Sequence, residues 1–238
     1  MSSSHPFTVV RLVCLALVLC LCGCSQHLQI MGSTSIAEIE GRMLYLRVYR
    51  DGDMAAIDSA RITHGRFAFN GVSPDTTAMV CLFLGEESVM PFVVDGSPLT
   101  ITLGERDRKV EGSVLNDTLF AFIRRKSAID MQVAELPRRE SRMILDGHDY
   151  DDIQRVLNAE AAQLAQQNDA VVMRFIKDNM DNVLGPGVFM IVTSGMPYPM
   201  LNPQIEELVT LAPPSFLQDA YVAEFLRMAR ENQEKMME

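Results

Sequence analysis

The stretch Leu19-Cys20-Leu21-Cys22-Gly23-Cys24 places three of the chain's five cysteines within five residues. Thiolates at that spacing are soft metal ligands or redox partners, so this run is the first place to look for chemistry. Thiol-disulfide exchange uses a Cys-x-x-Cys pair, one thiolate attacking and the second resolving, and the sequence has no such pair. His64 and His148 each lack a second His at metal-ligand spacing. The acidic run Asp146-Gly147-His148-Asp149-Tyr150-Asp151-Asp152 collects carboxylates as a Ca2+ site would. An EF-hand loop, however, needs alternating ligands, a central Gly and a distal Glu. The run suits a helix N-terminus better, where carboxylates meet free N–H groups and the positive end of the dipole. Cys81 falls in Val80-Cys81-Leu82-Phe83, a strand-like run in which a buried and inert thiol is expected. No catalytic, cofactor-binding or metal-ligating residue is assigned on these grounds, and no cofactor is expected.

The cysteine cluster is explained by what precedes it. An unbroken apolar run extends from Leu12 to Cys22, with Arg11 as the only basic residue before it. That is the length of a secretory core of about 7 to 15 residues, and short of the roughly 20 needed to span a bilayer. Gly23 supplies the small residue that a signal peptidase requires. Leu21-Cys22-Gly23-Cys24 resembles the lipobox of bacterial lipoproteins, whose last Cys is diacylated and becomes the mature N-terminus. The resemblance implies that residues 1–23 are a signal peptide and that Cys24 is lipidated. Cys14, Cys20 and Cys22 would then leave with the signal, and Cys81 would stay as the free thiol. Acyl chains on Cys24 would hold the body to a membrane without threading it through. Ser25-Gln26-His27 follows without an Asp, so the expected address is the periplasmic face of the outer membrane.

The formal net charge is -10 over 238 residues, and loss of Arg11 makes the mature chain more negative. Nucleic-acid binding needs the opposite balance, so no nucleic-acid partner is expected. A mature chain of this size can bury a real core. With Cys81 alone no internal disulfide can form, and packing must supply the stability. Trp is absent and Met numbers 16, which reads as adaptable core filling.

The elements that position these residues change character part-way along the chain. Between Leu28 and about Val110, strand-like runs alternate with turns every eight to twelve residues: Met43 to Tyr49, Ala60 to Ile62, Arg66 to Phe69, Met79 to Leu84, Val89 to Val94 and Leu99 to Leu103. Arg50-Asp51-Gly52-Asp53 and Thr63-His64-Gly65 read as the turns between them. After Gly112-Ser113 the period lengthens to that of a helix, with Asn116 or Asp117 placed to cap it. Pro137 to Gly147 reads as a polar connection. Asp149 to Asn182 contains no Gly or Pro and reads as one long helix or a broken pair, stopped by Gly185-Pro186-Gly187. Val188 to Thr193 is a shorter apolar segment leading to a Pro-rich loop through Pro197, Pro199 and Pro203, and two closing helices are expected, Gln204 to Leu211 and Ser215 to about Glu234, with Ser215 as the cap of the last. The fold class is α+β: an antiparallel β-sandwich or barrel-like domain over residues 24–112, followed by an all-helical segment over 113–238.

Four stretches carry a resemblance. Leu28-Gln29-Ile30-Met31-Gly32, Met43-Leu44-Tyr45-Leu46, the Gly-Arg-Phe-Ala-Phe-Asn-Gly-Val run over 65–72, and Val110-Glu111-Gly112-Ser113-Val114-Leu115-Asn116-Asp117 resemble an N-terminal domain of unknown function. That domain precedes a thioredoxin-like domain in many thiol-disulfide oxidoreductase lipoproteins. In those proteins the redox chemistry sits in the Cys-x-x-Cys of the thioredoxin domain, and no such residue carries over to this chain. The resemblance therefore implies a binding or accessory module without its enzyme.

Three functional expectations follow. The first is a non-catalytic periplasmic lipoprotein, a binding or accessory module at the outer membrane that binds an envelope protein partner or a ligand. The second is an accessory acting in trans on a thioredoxin-like thiol-disulfide exchanger. The third, from another class, is a small-molecule binder or enzyme whose site gathers around Gly185-Pro186-Gly187 and the Pro197 to Pro203 loop. Asp58-Ser59-Ala60, Asp75-Thr76-Thr77 and Asp117-Thr118-Leu119 also match a short acceptor pattern for periplasmic O-glycosylation.

Overall fold

The computed structural model describes residues 30–72, 77–105 and 107–237. The signal segment and Cys24 lie outside the described residues, as do Asp75 and Thr76. Among the described residues no helix is long and apolar enough to cross a membrane.

Among the described residues eight strands come first: β1 (Ile30–Thr34), β2 (Met43–Arg50), β3 (Asp53–Arg61), β4 (Arg66–Phe69), β5 (Ala78–Leu84), β6 (Glu87–Val94), β7 (Leu99–Leu103) and β8 (Arg108–Glu111). They form two four-stranded sheets, ordered β4-β1-β7-β8 and β3-β2-β5-β6. Two-residue turns fix the registers. Asp51 and Gly52 both take positive φ (53° and 87°), the conformation that joins twisted antiparallel strands tightly, and β2 pairs with β3 across it. His64 and Gly65 do the same at φ 52° and 67°. There the chain leaves the second sheet and enters the first, because β4 pairs with β1.

One pairing departs from the antiparallel expectation. β1 runs parallel to β7, with Ile30 opposite Leu99 and Thr34 opposite Leu103. Hairpins produce antiparallel neighbours, whereas these two strands are linked through the whole second sheet, a crossover long enough to allow parallel pairing.

Period-two alternation builds the core between the sheets. Leu44 and Leu46 of β2, Val80, Leu82 and Leu84 of β5, Phe92 of β6, Phe67 and Phe69 of β4, and Leu99, Ile101 and Leu103 of β7 face one another there. The opposite face of the second sheet is also covered. Met79 and Cys81 of β5 and Val93 of β6 belong to a second core shared with the helices, which explains why β5 reads as continuously apolar. Pro91 sits in β6, an edge strand, where a missing N–H breaks no ladder.

Six helices follow among the described residues: α1 (Val114–Leu145), α2 (Tyr150–Asp178), α3 (Leu184–Thr193), α4 (Pro203–Leu211), the one-turn α5 (Pro214–Leu217) and α6 (Ala220–Met237). At 1.5 Å per residue α1 is about 48 Å long, and α2 lies antiparallel against it. From Asp130 to Tyr150 no residue is buried, so among the described residues the far half of α1 is covered by α2 and extends from the body with it.

Three expectations are corrected here. Pro137 to Gly147 is not a connection: α1 runs through Pro137 to Leu145, and the connection is only Asp146 to Asp149. Pro137 is exposed, so its lost backbone bond faces water. Contacts to α2 hold this stretch in place through the Arg139–Glu160 ion pair and a Gln154 Nε2 donor to Glu140 Oε1 at 2.7 Å. Gly185-Pro186-Gly187 does not stop a helix but lies in the first turns of α3, where proline's missing N–H is not needed. The last helix is split, and Asp219 rather than Ser215 caps α6, accepting from the N–H groups of Tyr221 (3.0 Å) and Val222 (3.2 Å).

Candidate functional site

The junction between the two halves is built from the motif at 110–117. Gly112 takes φ 106°, and a Cβ on it would lie 2.2 Å from the Pro98 carbonyl oxygen, so only glycine fits. Ser113, not Asn116 or Asp117, caps α1: its hydroxyl oxygen accepts from the Asn116 N–H at 3.5 Å and donates to the Asp95 carboxylate. Asn116 is fully buried and does different work. Its Oδ1 accepts from the Val93 N–H at 2.7 Å, and its Nδ2 donates to the Val93 carbonyl at 2.8 Å. One side-chain amide thus completes the edge of β6 as a neighbouring strand would, and fastens α1 to the sheet.

Among the described residues the helices take part in three concave sites considered next. The largest of these three, about 960 Å³, is a groove along α1 and α2. Its floor has Ala121 and Ala128 of α1 and Ala170 and Val171 of α2. Phe122 and Phe175 line it as well and pack with ring centroids 4.4 Å apart. Its rim carries Asp117 and Asp178 at the end nearer the sheets and Arg125 and Arg174 beyond. Arg174 Nε lies 3.5 Å from Asp178 Oδ2. Small floor residues permit close approach of another backbone, and charges of both signs flank them. The combination suits an amphipathic helix laid between α1 and α2.

A second cavity, about 380 Å³, lies at the seam between the second sheet and α3 and α6. Tyr49, Met79, Met180, Gly187, Met190 and Tyr221 line it. Tyr49 and Tyr221 meet edge to face at 4.9 Å. Burial, and then the carboxylate of Glu224, push the Tyr49 hydroxyl above its ordinary pKa, so it stays protonated. Of Gly185-Pro186-Gly187, Pro186 and Gly187 line this seam. The Pro197 to Pro203 loop borders a different space. That third cavity, about 440 Å³, lies between α2, α3 and α4 and includes Asn202 and Gln204.

Of the remaining sequence candidates, Asp117 and Thr118 line the groove and Thr77 lines the seam cavity; the others described line none of the three. Cys81 is 9 % exposed on the helix-facing side of β5, and burial pushes its thiol up to about 11, leaving almost no thiolate at neutral pH. The backbone N–H groups of His64 and Gly65 donate to Glu40 Oε1 and Oε2 at 2.7 and 2.9 Å, and these bonds hold the Glu40 carboxyl below its usual range. His148 lies exposed in the α1–α2 turn. Asp149 caps α2, accepting from Asp151 N–H at 2.9 Å and Asp152 N–H at 3.4 Å. Among the described residues no three His, Cys, Asp or Glu side chains converge as metal ligands. Ser59 is exposed on β3, while Asp58 beside it accepts from Gly71 N–H at 2.7 Å. Thr118 donates to the Val114 carbonyl at 2.9 Å.

Sequence reading missed the groove and the bonding of Asn116. The groove had one local signal, the alanines that recur at Ala121 and Ala128 on one face of α1, but its α2 wall comes from residues some 50 positions later.

Residues 28–119 match the family described as a domain of unknown function (DUF4369). The match spans the two sheets and the first turns of α1, less than half of the chain. No curated protein and no solved structure matches the sequence.

Proposed function

We propose that the protein is a lipid-anchored binding module of a bacterial envelope, and that the α1–α2 groove receives an amphipathic helix of a partner protein. The groove carries this reading: a space of about 960 Å³ lined by alanines together with Phe122, Ile129, Val171 and Phe175, on a helical pair fastened at one end to the sheet. Arg125 has no ion pair among the described residues, which favours acidic residues beside the partner's apolar stripe. The lipobox-like residues before Cys24 support the anchor, and Ser25-Gln26-His27 supports the outer-membrane address. The sheets act as a platform and take no chemical part.

A second reading rests on the resemblance of the β domain to the module that precedes thioredoxin-like domains. Cys81, with its thiol pushed to about 11, brings no usable thiolate. In that reading the partner carries the Cys-x-x-Cys pair.

Affinity purification of the native lipidated protein from mildly crosslinked envelopes, with mass spectrometry of bait and prey, tests both. The module reading predicts one protein recovered with wild type and lost with Ala128→Glu, which puts a charge on the groove floor. A thioredoxin-like prey identifies the second reading. Equal recovery with Ala128→Glu excludes the groove.

A further inference from the structure

The connection between α1 and α2 stands clear of both cores: every residue from Ile144 to Asp152 is exposed. Three of them are large and mainly apolar. Leu145 is 85 % exposed, Tyr150 63 % and Ile144 53 %, and all three fall within the short stretch from Ile144 to Tyr150. Single apolar side chains on a surface need no explanation, whereas several together mark a contact. The turn beneath them is closed by its own backbone bonds. The Asp146 N–H donates to the Arg142 carbonyl at 2.9 Å, the Gly147 N–H to the Ile144 carbonyl at 3.1 Å and the His148 N–H to the Met143 carbonyl at 3.1 Å, and Asp149 caps α2. The backbone that carries these side chains is therefore ordered before any contact forms, which lowers the cost of binding.

Charge decides what would cover them. Between Met143 and Asp152 the chain has four aspartates and no Lys or Arg. Asp152 pairs with Arg155 and Asp149 is used in the cap, but Asp146 and Asp151 have no ion pair among the described residues. Asp146 stands at the C-cap of α1, where the negative end of the helix dipole disfavours a carboxylate. An exposed leucine beside such an aspartate gains nothing for this chain alone. A socket for Leu145 with Lys or Arg opposite Asp146 and Asp151 would relieve both. An anionic membrane, a nucleic acid or the same tip of a second copy would instead set like charge against like.

We propose that the α1–α2 tip docks into an apolar socket of a partner protein whose rim carries Lys or Arg. Leu145 and Tyr150 enter the socket, and Asp146 and Asp151 meet the rim. This surface is separate from the groove, whose lining reaches only to Ile129 on α1 and starts at Gln167 on α2.

The test places a photoreactive benzoylphenylalanine at Tyr150 of the full-length protein in isolated envelopes, and identifies the trapped product and its attachment peptide by mass spectrometry. One protein of different sequence should be trapped, through a peptide in which apolar residues neighbour Lys or Arg. Leu145→Ser should lower the yield by about 10-fold or more, as loss of an anchor residue does. Asp146→Lys should lower it by about threefold or more, because repulsion replaces attraction at the rim. Both positions are exposed, so neither substitution disturbs a core. Trapping of nothing, of lipid alone, of a second copy of this chain, or of a protein without Lys or Arg at the attachment peptide would each overturn the proposal. So would a yield that Leu145→Ser or Asp146→Lys leaves unchanged. Ala128→Glu alters the groove and not the tip, so either surface can fail its test while the other stands.

Discussion

Replacing Asn116 with Ala removes one small side chain and leaves two buried backbone groups without partners. The Val93 N–H and carbonyl are bonded only through that amide, at 2.7 and 2.8 Å, and both Asn116 and Val93 are 0 % exposed. An unsatisfied buried group costs about 1–3 kcal/mol, so the pair predicts a loss of about 2–6 kcal/mol. Ser113→Ala at the same junction removes a helix cap and should cost only about 0.5–2 kcal/mol. Urea unfolding of both variants, with the midpoint and slope compared to wild type, measures the difference. Asn116→Ala should also raise amide exchange along β6, because its edge is no longer completed. A loss for Asn116→Ala below about 1 kcal/mol, or one smaller than that of Ser113→Ala, would refute the idea that this amide joins the two halves.

Other expectations follow from the same geometry. Gly112→Ala meets both the left-handed backbone at φ 106° and the Pro98 carbonyl at 2.2 Å, and should lose more than about 2 kcal/mol by the same unfolding measurement. Cys81 should resist alkylation in the native protein at pH 8 and react on unfolding. Its thiol is raised by burial from 9.0 to about 11, so the neutral form favours folding. Its contribution is full below pH 9 and is lost as pH rises through about 11, a decline that Cys81→Ala should abolish in a pH series of thermal melts. Cys24→Ser should move the protein from the membrane pellet to the soluble fraction of an envelope preparation, and a pellet-bound variant would count against the lipid anchor.

Much of the fold was legible because its patterns are local. Alternation marked the strands, Asp51-Gly52 and His64-Gly65 marked tight turns, and a change of period after Gly112 marked the start of α1. What escaped depends on contacts between distant segments. The parallel pairing of β1 with β7 follows from the path of the chain through the second sheet, and no local residue announces it. Pro137 signalled a break, yet packing along α2 outweighs the local preference, because the missing bond faces solvent. Gly185-Pro186-Gly187 looked like punctuation. In the folded chain Gly185 clears the Asn179 carbonyl, which a Cβ would approach to 2.5 Å, and Gly187 lies flat against Met79. Asn116 was legible as a polar residue near a helix start but not as the partner of Val93, since β6 lies 23 residues earlier. The groove is a property of α1 and α2 together, and neither sequence alone outlines it.

The central claim is that the groove is where a partner helix docks. A photoreactive residue placed at Ala128, on the floor, and a second placed at Asp51, in the β2–β3 turn, test it most directly in the native full-length protein within intact envelopes. The account predicts that Ala128 traps a single protein through a segment with an apolar stripe flanked by acidic residues, and that Asp51 does not. Trapping of the same protein from both positions, or from Asp51 alone, would contradict it.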